Sequence, residues 1–171
     1  MLNIKEKSIY IVLTQTGTGP SRLIRFFTQE PYAHASISFD NELNEMYSFA
    51  RRGIWNPLNA GFVEENVESG IFGRHKATTC NIYELKMTEN QYIKLRGEIN
   101  VFVSNRESYS YNFLGVIAVA LNVPIQRKQR YFCSQFVAYV LERSGIHIFE
   151  KNYALIKPED IRMNEHINSI Y

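Results

Sequence analysis

A cysteine at the start of a helix and a histidine at the start of a strand are the residues of this chain best suited to chemistry. Cys133 lies in YFCSQFVAYVLERSG, where apolar residues recur at helical spacing and place it in the first turn of an amphipathic helix. The free backbone amides and the positive dipole end of that turn favour a thiolate. The competing interpretation is an inert structural cysteine, because free cysteine is among the most buried residue types.

The choice between these interpretations depends on a base, and His34 is the best candidate among the four histidines. It opens HASISFD, an alternating segment that predicts a strand, directly after the turn-like stretch QEPYA. A cysteine and a histidine placed in this way are the two parts of a thiolate–imidazolium pair. We therefore predict that the two side chains meet in the fold, although they are distant in sequence.

Other chemistries find less support in the chain. The segment TGTGPSR matches neither GxGxxG nor GxxxxGK[ST], so a tight turn explains it better than a phosphate cradle. The sequence has no GxSxG elbow, and no Cys/His cluster has the spacing of metal ligands. Adjacent carboxylates such as Glu64 and Glu65 cannot face one substrate together, and we expect them to be solvated or to lie at a helix start. We predict neither a metal nor a cofactor.

The composition predicts one soluble domain over residues 1–171. A chain of 171 residues that is 45% hydrophobic and 21% charged can build one sizeable core and is not typical of disorder. Its net charge of +2 is too small to indicate nucleic-acid binding. The basic run QRKQR at 126–130 is interpreted either as a solvated loop or as a cationic rim that attracts an acidic substrate.

Sequence features also predict the compartment. No stretch approaches the roughly twenty apolar residues of a membrane span. The N-terminal sequence MLNIKEKSIYIVL lacks the long apolar core and cleavage site of a secretory signal. We therefore expect a cytoplasmic protein without stable membrane insertion, in which Cys80 and Cys133 are free thiols. Cys80, in the strand-like segment TTCNIYEL, is expected to lie in the core.

The order of the predicted elements indicates an α+β fold with segregated layers. Strands are predicted over 8–15, in a hairpin over 34–50, and over 78–87. Helices are predicted over 16–29, over 88–107 with Thr88 and Gln91 as a capping box, over 110–122, from Cys133 onward, and over 158–162. The segment 51–76 is expected to be irregular, and the almost wholly apolar helix over 110–122 is expected to be buried.

Three segments resemble the circularly permuted papain-like hydrolases, the NlpC-related group with YiiX-like and YaeF-like members. HASIS is similar to the HxGI strand of that family, FCSQFV is similar to its CSE[LF]V helix, and YNFLG at 111–115 is the third segment. As in the permuted group, the histidine strand precedes the cysteine helix. The resemblance covers roughly residues 8–145. It implies a small antiparallel sheet with helices packed on one side and a catalytic cysteine at a helix N-terminus.

The resemblance also implies roles for individual residues, with Cys133 as nucleophile and His34 as base. In this family a third polar residue near the end of the next strand orients the imidazole. Ser48 is nearest to that place if Phe39 pairs with Leu43, and Glu45 is the alternative with the stronger orienting group. Further side chains expected to contact the substrate are Tyr47, Tyr111 and Gln135.

The reaction implied by the resemblance is cleavage of an amide through a thioester on Cys133. Family members cleave peptidoglycan-type peptides, γ-D-glutamyl bonds especially, so a small peptide or wall fragment is the expected substrate and partner. Two alternatives stay open. One is a papain-like domain that is weakly active or inactive and binds a ligand. The other is a thiol acyltransferase or lipid esterase of the lecithin:retinol acyltransferase type.

Overall fold

Strands occupy the first part of the chain and helices most of the second. The computed structural model describes residues 6–15, 31–53, 56, 58–65 and 79–171. The strands are β1 (Glu6–Gln15), β2 (His34–Ser38), β3 (Met46–Arg51), β4 (Ala60–Glu65), β5 (Thr79–Thr88), β6 (Ser110–Tyr111), β7 (Arg130–Tyr131) and β8 (Asn168–Ser169). The α-helices are α1 (Glu89–Ser104), α2 (Phe113–Ala120), α3 (Cys133–Arg143) and α4 (Pro158–Arg162).

Six strands form one antiparallel sheet in the order β4-β3-β2-β1-β5-β8. The longest pairing joins β1 to β5, from Glu6 opposite Thr88 to Gln15 opposite Thr79. Strands β6 and β7 pair in parallel as a separate unit beside the N-terminal ends of α2 and α3. The predicted α+β class is therefore confirmed.

The two faces of the sheet carry different side chains, because residues alternate between faces along each strand. One face is apolar and aromatic, and its members, such as Ile37 and Phe49, belong to the core that also contains Leu95 of α1 and Phe136 of α3. Helices α1 and α3 pack against this face. The opposite face of β2, β3 and β4 carries a row of polar side chains, namely His34, Ser36, Ser48 and Glu65.

Local sequence signals located most of these elements. The predicted strand over 8–15, the hairpin over 34–50 and the strand over 78–87 are all present. The capping box of α1 is also present, since Gln91 N–H donates to Thr88 Oγ1 at 3.3 Å and Thr88 N–H donates to Gln91 Oε1 at 3.0 Å. The predicted helix over 16–29 lies outside the described residues.

One correction concerns the segment 51–76, which was expected to be irregular. Within its described part, Ala60–Glu65 is strand β4, which pairs with β3 along its length. The glycine and asparagine residues before it suggested a loop, but pairing with a distant strand decides the conformation. Cys80 is a second, smaller correction, because it is partly buried on β5 and does not belong to the core cluster.

Another correction concerns the apolar segment 110–122. Helix α2 begins only at Phe113, and one of its sides is exposed: Leu114 is 54% and Ile117 is 59% exposed. A helix without polar residues has no pattern that distinguishes its buried side from its exposed side, so the sequence suggested complete burial. None of the helices among the described residues has the length and apolar character needed to cross a bilayer.

Candidate active site

The sulfur of Cys133 lies at the first residue of α3, buried against the start of β2. Its side chain is hydrogen-bonded to the His34 side chain, and the backbone N–H groups of Ala35 and Ser134 also point at the sulfur. Burial alone would raise the pKa of the Cys133 thiol, but the hydrogen bond, the charge of His34 and the two amides outweigh it. The pKa is lowered, which favours the thiolate.

The imidazole of His34 lies between the cysteine and a carboxylate. Its Nε2 is 2.7 Å from Oε1 of Glu65, and the His34 side chain is also hydrogen-bonded to that of Cys133. Burial lowers the pKa of His34, but the charge of Glu65 and the hydrogen bonds to Cys133 and Glu65 together raise it to about 10. His34 is therefore held as an imidazolium between the carboxylate of Glu65 and the side chain of Cys133.

The carboxylate of Glu65, at the end of β4, is almost enclosed, with 11% of its side chain exposed. Burial raises the pKa of Glu65, but the charge of His34 and hydrogen bonds from His34, Ser48 and Ser36 together lower it. A buried carboxylate that accepts several hydrogen bonds stays ionised. Glu65 is thus a charged partner of His34, in contrast to the expectation that Glu64 and Glu65 are both solvated.

Two buried serines hold this carboxylate in place. The hydroxyl of Ser48 donates to Oε1 of Glu65, and the hydroxyl of Ser36 donates to Oε2 at 3.0 Å. Ser36 Oγ also lies 3.2 Å from Nε2 of His34. The predicted third residue, Ser48, is therefore in the site, but its hydrogen bond goes to Glu65 rather than to the imidazole.

The register of the hairpin explains the position of Ser48. The pairing of Ser38 with Met46 places Ser48 beside Ser36, whereas the expected pairing of Phe39 with Leu43 would have placed it beside His34. The difference is two residues, which keeps Ser48 on the polar face. Strand β3 lies between β4 and β2. The small side chain of Ser48 on β3 leaves room for the Glu65 carboxylate on β4 to reach β2.

The alternative orienting residue, Glu45, lies elsewhere. Its carboxylate forms an ion pair with Arg96 of α1 and accepts a hydrogen bond from the Tyr47 hydroxyl at 3.1 Å. Tyr47, expected to contact the substrate, is in the aromatic core, where its ring stacks on Phe62 with a centroid distance of 5.9 Å. Both residues belong to the helix-covered face, because alternation separates them from Ser48.

Tyr111, also expected to contact the substrate, does reach the site. Its hydroxyl group is hydrogen-bonded to the Cys133 side chain and accepts a hydrogen bond from the Cys133 N–H. Burial, together with the nearby charge of Cys133, raises the pKa of Tyr111 well above 10, so the phenol is neutral and can donate a proton in a hydrogen bond. Pairing of Tyr111 with Tyr131 between β6 and β7 fixes its distance from the cysteine helix.

Gln135, also expected to contact the substrate, is buried and supports the site through hydrogen bonds to its neighbours. It is 1% exposed, and its Oε1 accepts hydrogen bonds from Phe132 N–H at 3.3 Å and from Asn112 Nδ2 at 3.2 Å. Asn112 in turn caps α2 by accepting from Gly115 N–H at 3.1 Å. A Cβ atom on Gly115 would lie 2.7 Å from Asn112 Cγ, which explains the glycine at the end of YNFLG.

The structure also bears on serine chemistry and on metal binding, for which the sequence gave little support. Ser134 donates its hydroxyl to the carbonyl of Ile156 at 2.7 Å, so it is a structural residue of α3. Among the described residues, no group of three or more His, Cys, Asp or Glu side chains could hold a metal ion. Both cysteines are free thiols, as expected.

No family model matches the chain, and no curated protein matches it significantly. The geometry of the site is therefore the main source of functional information. It provides a cysteine with a lowered pKa at a helix N-terminus, an imidazolium, a buried carboxylate and a neutral phenol. Such a set can carry out nucleophilic attack on a carbonyl and stabilise the charge that develops on its oxygen.

Sequence reasoning missed Glu65, Ser36 and Asn112. A weak signal for Glu65 exists in retrospect, because Phe62 and Val63, which directly precede the two glutamates, are residue types that strands favour. Ser36 is one of two serines in HASIS that share the face of His34, the other being Ser38. Asn112 directly precedes the apolar helix α2, where asparagine is a preferred N-cap residue.

Proposed function

We propose that this protein is a cysteine hydrolase that cleaves an amide through a thioester intermediate, in the arrangement of the permuted papain-like, NlpC-related enzymes. The observation that carries the proposal is the continuous contact from Cys133 to His34 to Glu65. The antiparallel sheet, with the histidine on an early strand and the cysteine at the start of a late helix, agrees with that arrangement.

The first chemical step is attack of the Cys133 thiolate on the carbonyl carbon of the substrate. A C–S bond forms and the carbonyl π bond opens, which places negative charge on the oxygen. The backbone N–H of Cys133 and the hydroxyl of Tyr111 are both placed to donate to that oxygen, which would replace their present mutual hydrogen bond.

Proton transfer then releases the amine. His34, held as an imidazolium, gives its proton to the leaving nitrogen as the C–N bond breaks, and the thioester remains on Cys133. Neutral His34 next takes a proton from a water molecule as that water attacks the thioester carbonyl. The C–S bond then breaks, which releases the carboxylic acid and restores the thiolate of Cys133 beside the imidazolium. Glu65 keeps the imidazole in one orientation during both steps and stabilises its charged form.

The presence of Glu65 supports an enzyme over an inactive ligand-binding domain. The inactive alternative is favoured if Ser48 orients the imidazole, because a serine does so less firmly than a carboxylate. For the substrate, the resemblance implies a peptidoglycan-type peptide with a γ-D-glutamyl bond. A role on such fragments in the cytoplasm stays a prediction.

Selective alkylation tests the proposal without knowledge of the substrate. With iodoacetamide at about pH 6, where an ordinary thiol is protonated, we expect Cys133 to be labelled at least tenfold faster than Cys80. Cys80 is an internal control, because burial raises its pKa and no base adjoins it among the described residues. Peptide mass spectrometry measures both rates in one sample.

The matched variant is His34→Gln, which keeps a polar side chain and removes the cation. The labelling rate of Cys133 should then fall toward that of Cys80. Equal, slow labelling of both thiols in the unaltered protein, with no effect of His34→Gln, would overturn the proposal. Hydrolysis of a γ-D-glutamyl peptide that is abolished by Cys133→Ala would support the substrate class.

A further inference from the structure

Helix α2 and the turn after it expose a group of large apolar side chains. These residues, which we call the α2 patch, are Phe113 (44% exposed), Leu114 (54%), Ile117 (59%), Leu121 (72%) and Val123 (48%). The backbone holds them in place: Val123 N–H donates to Ala118 O at 2.9 Å, and Asn122 adopts a left-handed conformation with φ 56°. A group of this kind usually marks an interaction surface.

A basic turn, Arg127–Arg130, follows the α2 patch in sequence. It is closed by a hydrogen bond of 3.1 Å from Arg130 N–H to Arg127 O, with Gln129 at φ 57°. Arg127 and Lys128 are exposed, and none of the carboxylates among the described residues pairs with the basic side chains of this turn. No acidic residue occurs in the sequence between Glu107 and Glu142, so this segment of the chain is itself apolar and cationic.

The α2 patch is continuous with the candidate active site. The ring of Phe113 packs on the ring of Tyr111 at a centroid distance of 4.9 Å, and the hydroxyl of Tyr111 contacts Cys133. The basic turn continues directly into β7, which precedes Cys133 by two residues. A surface that covers the α2 patch would therefore lie next to the reacting sulfur.

Whatever binds the α2 patch and the basic turn must be complementary to an apolar surface and to positive charge that no carboxylate among the described residues pairs with. A second copy of the chain matches poorly, because an isologous contact would bring two basic turns together. An anionic bilayer matches both features, since apolar side chains enter the interface while Lys and Arg side chains remain at the level of the phosphates.

We propose that the α2 patch and the basic turn dock this protein on an anionic lipid bilayer. The apolar side chains enter the boundary between headgroups and acyl chains, and the basic turn contacts the lipid phosphates. If the proposed hydrolase function also holds, on which this consequence rests, the substrate is an amide carried by an amphiphile at the bilayer surface. Docking itself does not depend on the reactivity of Cys133.

Sedimentation with lipid vesicles tests the docking surface. The full chain should bind vesicles of phosphatidylcholine with phosphatidylglycerol, bind phosphatidylcholine alone much more weakly, and lose binding as salt increases. Ile117→Glu should weaken binding about tenfold or more, because it places a charge in the apolar contact. Lys128→Ala should weaken it about fivefold, the effect of one basic side chain near an anionic surface.

The matched control is Ile93→Glu on α1, where the isoleucine is 62% exposed, similar to Ile117. It should bind vesicles like the unaltered chain, as should Cys133→Ala, which separates docking from catalysis. Leu121→Glu, after the end of α2, is the second test variant if Ile117→Glu does not fold. The proposal would be overturned if the unaltered chain did not bind vesicles, or if Ile93→Glu and Ile117→Glu weakened vesicle binding equally. It would also be overturned if Ile117→Glu abolished self-association and left vesicle binding unchanged.

Discussion

Two carboxylates at neighbouring positions of the sheet have very different surroundings. Glu65 pairs with Met46, the residue that follows Glu45. Because neighbouring residues alternate, the side chains of Glu65 and Glu45 lie on opposite faces of the sheet. Glu45 is 33% exposed and pairs with Arg96, whereas Glu65 is 11% exposed and pairs with His34. Both are ion pairs, yet only the second can change the protonation of a nucleophile. The difference lies in burial and in what the cationic partner itself contacts.

Burial makes the Glu65 pair sensitive to the loss of any member. A buried charge is tolerated only if it is paired and hydrogen-bonded, and Glu65 has His34, Ser36 and Ser48 as partners. Arg96 in the other pair has additional support, because its guanidinium lies 4.0 Å from the centroid of the Phe39 ring. We therefore expect substitutions around Glu65 to affect Cys133 strongly and substitutions at Glu45 to affect it little.

The largest effect is expected for Glu65→Gln, which keeps the shape of the side chain and removes its charge. Without that charge the pKa of His34 falls, the imidazolium is less available, and the pKa of Cys133 rises. The pH profile of Cys133 alkylation should move to higher pH, and the rate at about pH 6 should fall about tenfold or more. Rates measured by mass spectrometry across a pH series give both values.

Cys80 labelling in the same samples controls for general changes in the fold. Its rate should be the same in Glu65→Gln as in the unaltered protein. An unchanged pH profile for Cys133 in a folded Glu65→Gln variant would show that the carboxylate does not support the imidazolium.

The contrast between these pairs also shows what the sequence could and could not predict. His34 and Cys133 were located because each begins an element with a clear local pattern, a strand in one case and an amphipathic helix in the other. Glu65 was not located, because β4 acquires its conformation from pairing with β3, for example Phe62 with Phe49. That contact is non-local, and a single sequence does not contain the register that produces it.

Helix α2 shows the same limit for burial. Its eight residues, Phe113–Ala120, contain no polar side chain, so the predicted helix was present but its exposed side could not be recognised. Which side of α2 is exposed depends on which elements pack against it, and the whole fold decides that. In α3 the helical spacing of the apolar residues predicted their burial correctly, but it gave no sign that Ser134 and Gln135 are buried as well.

An intermediate effect is expected for Ser48→Ala. The hydroxyl donates to Oε1 of Glu65, and hydrogen bonds to charged groups contribute about 2 kcal/mol. We expect a loss of about that size in the free energy of unfolding, measured with urea, and Cys133 alkylation about threefold slower as the carboxylate becomes less fixed.

Ser38→Ala is the matched control for this substitution. Ser38 is equally buried and lies on the same face, but its hydroxyl donates to the carbonyl of Asp40 at 2.8 Å. It should lose stability, by about 1 kcal/mol, without any change in the alkylation of Cys133. If the two variants slow alkylation equally, Ser48 acts through general packing of the sheet and not through Glu65.

The smallest effect is expected for Glu45→Gln. The ion pair of Glu45 with Arg96 is partly exposed, so its loss should lower the free energy of unfolding by less than about 1 kcal/mol, and by less still in high salt. Arg96 keeps its contacts with the ring of Phe39 and with the hydroxyl of Tyr92, which is 3.1 Å from one of its terminal nitrogens.

Alkylation of Cys133 should be unchanged, because the sheet separates Glu45 from His34. If Glu45→Gln slowed alkylation as much as Glu65→Gln, the net charge of this region would control the thiolate, and direct contact of Glu65 with the imidazole would not be its cause.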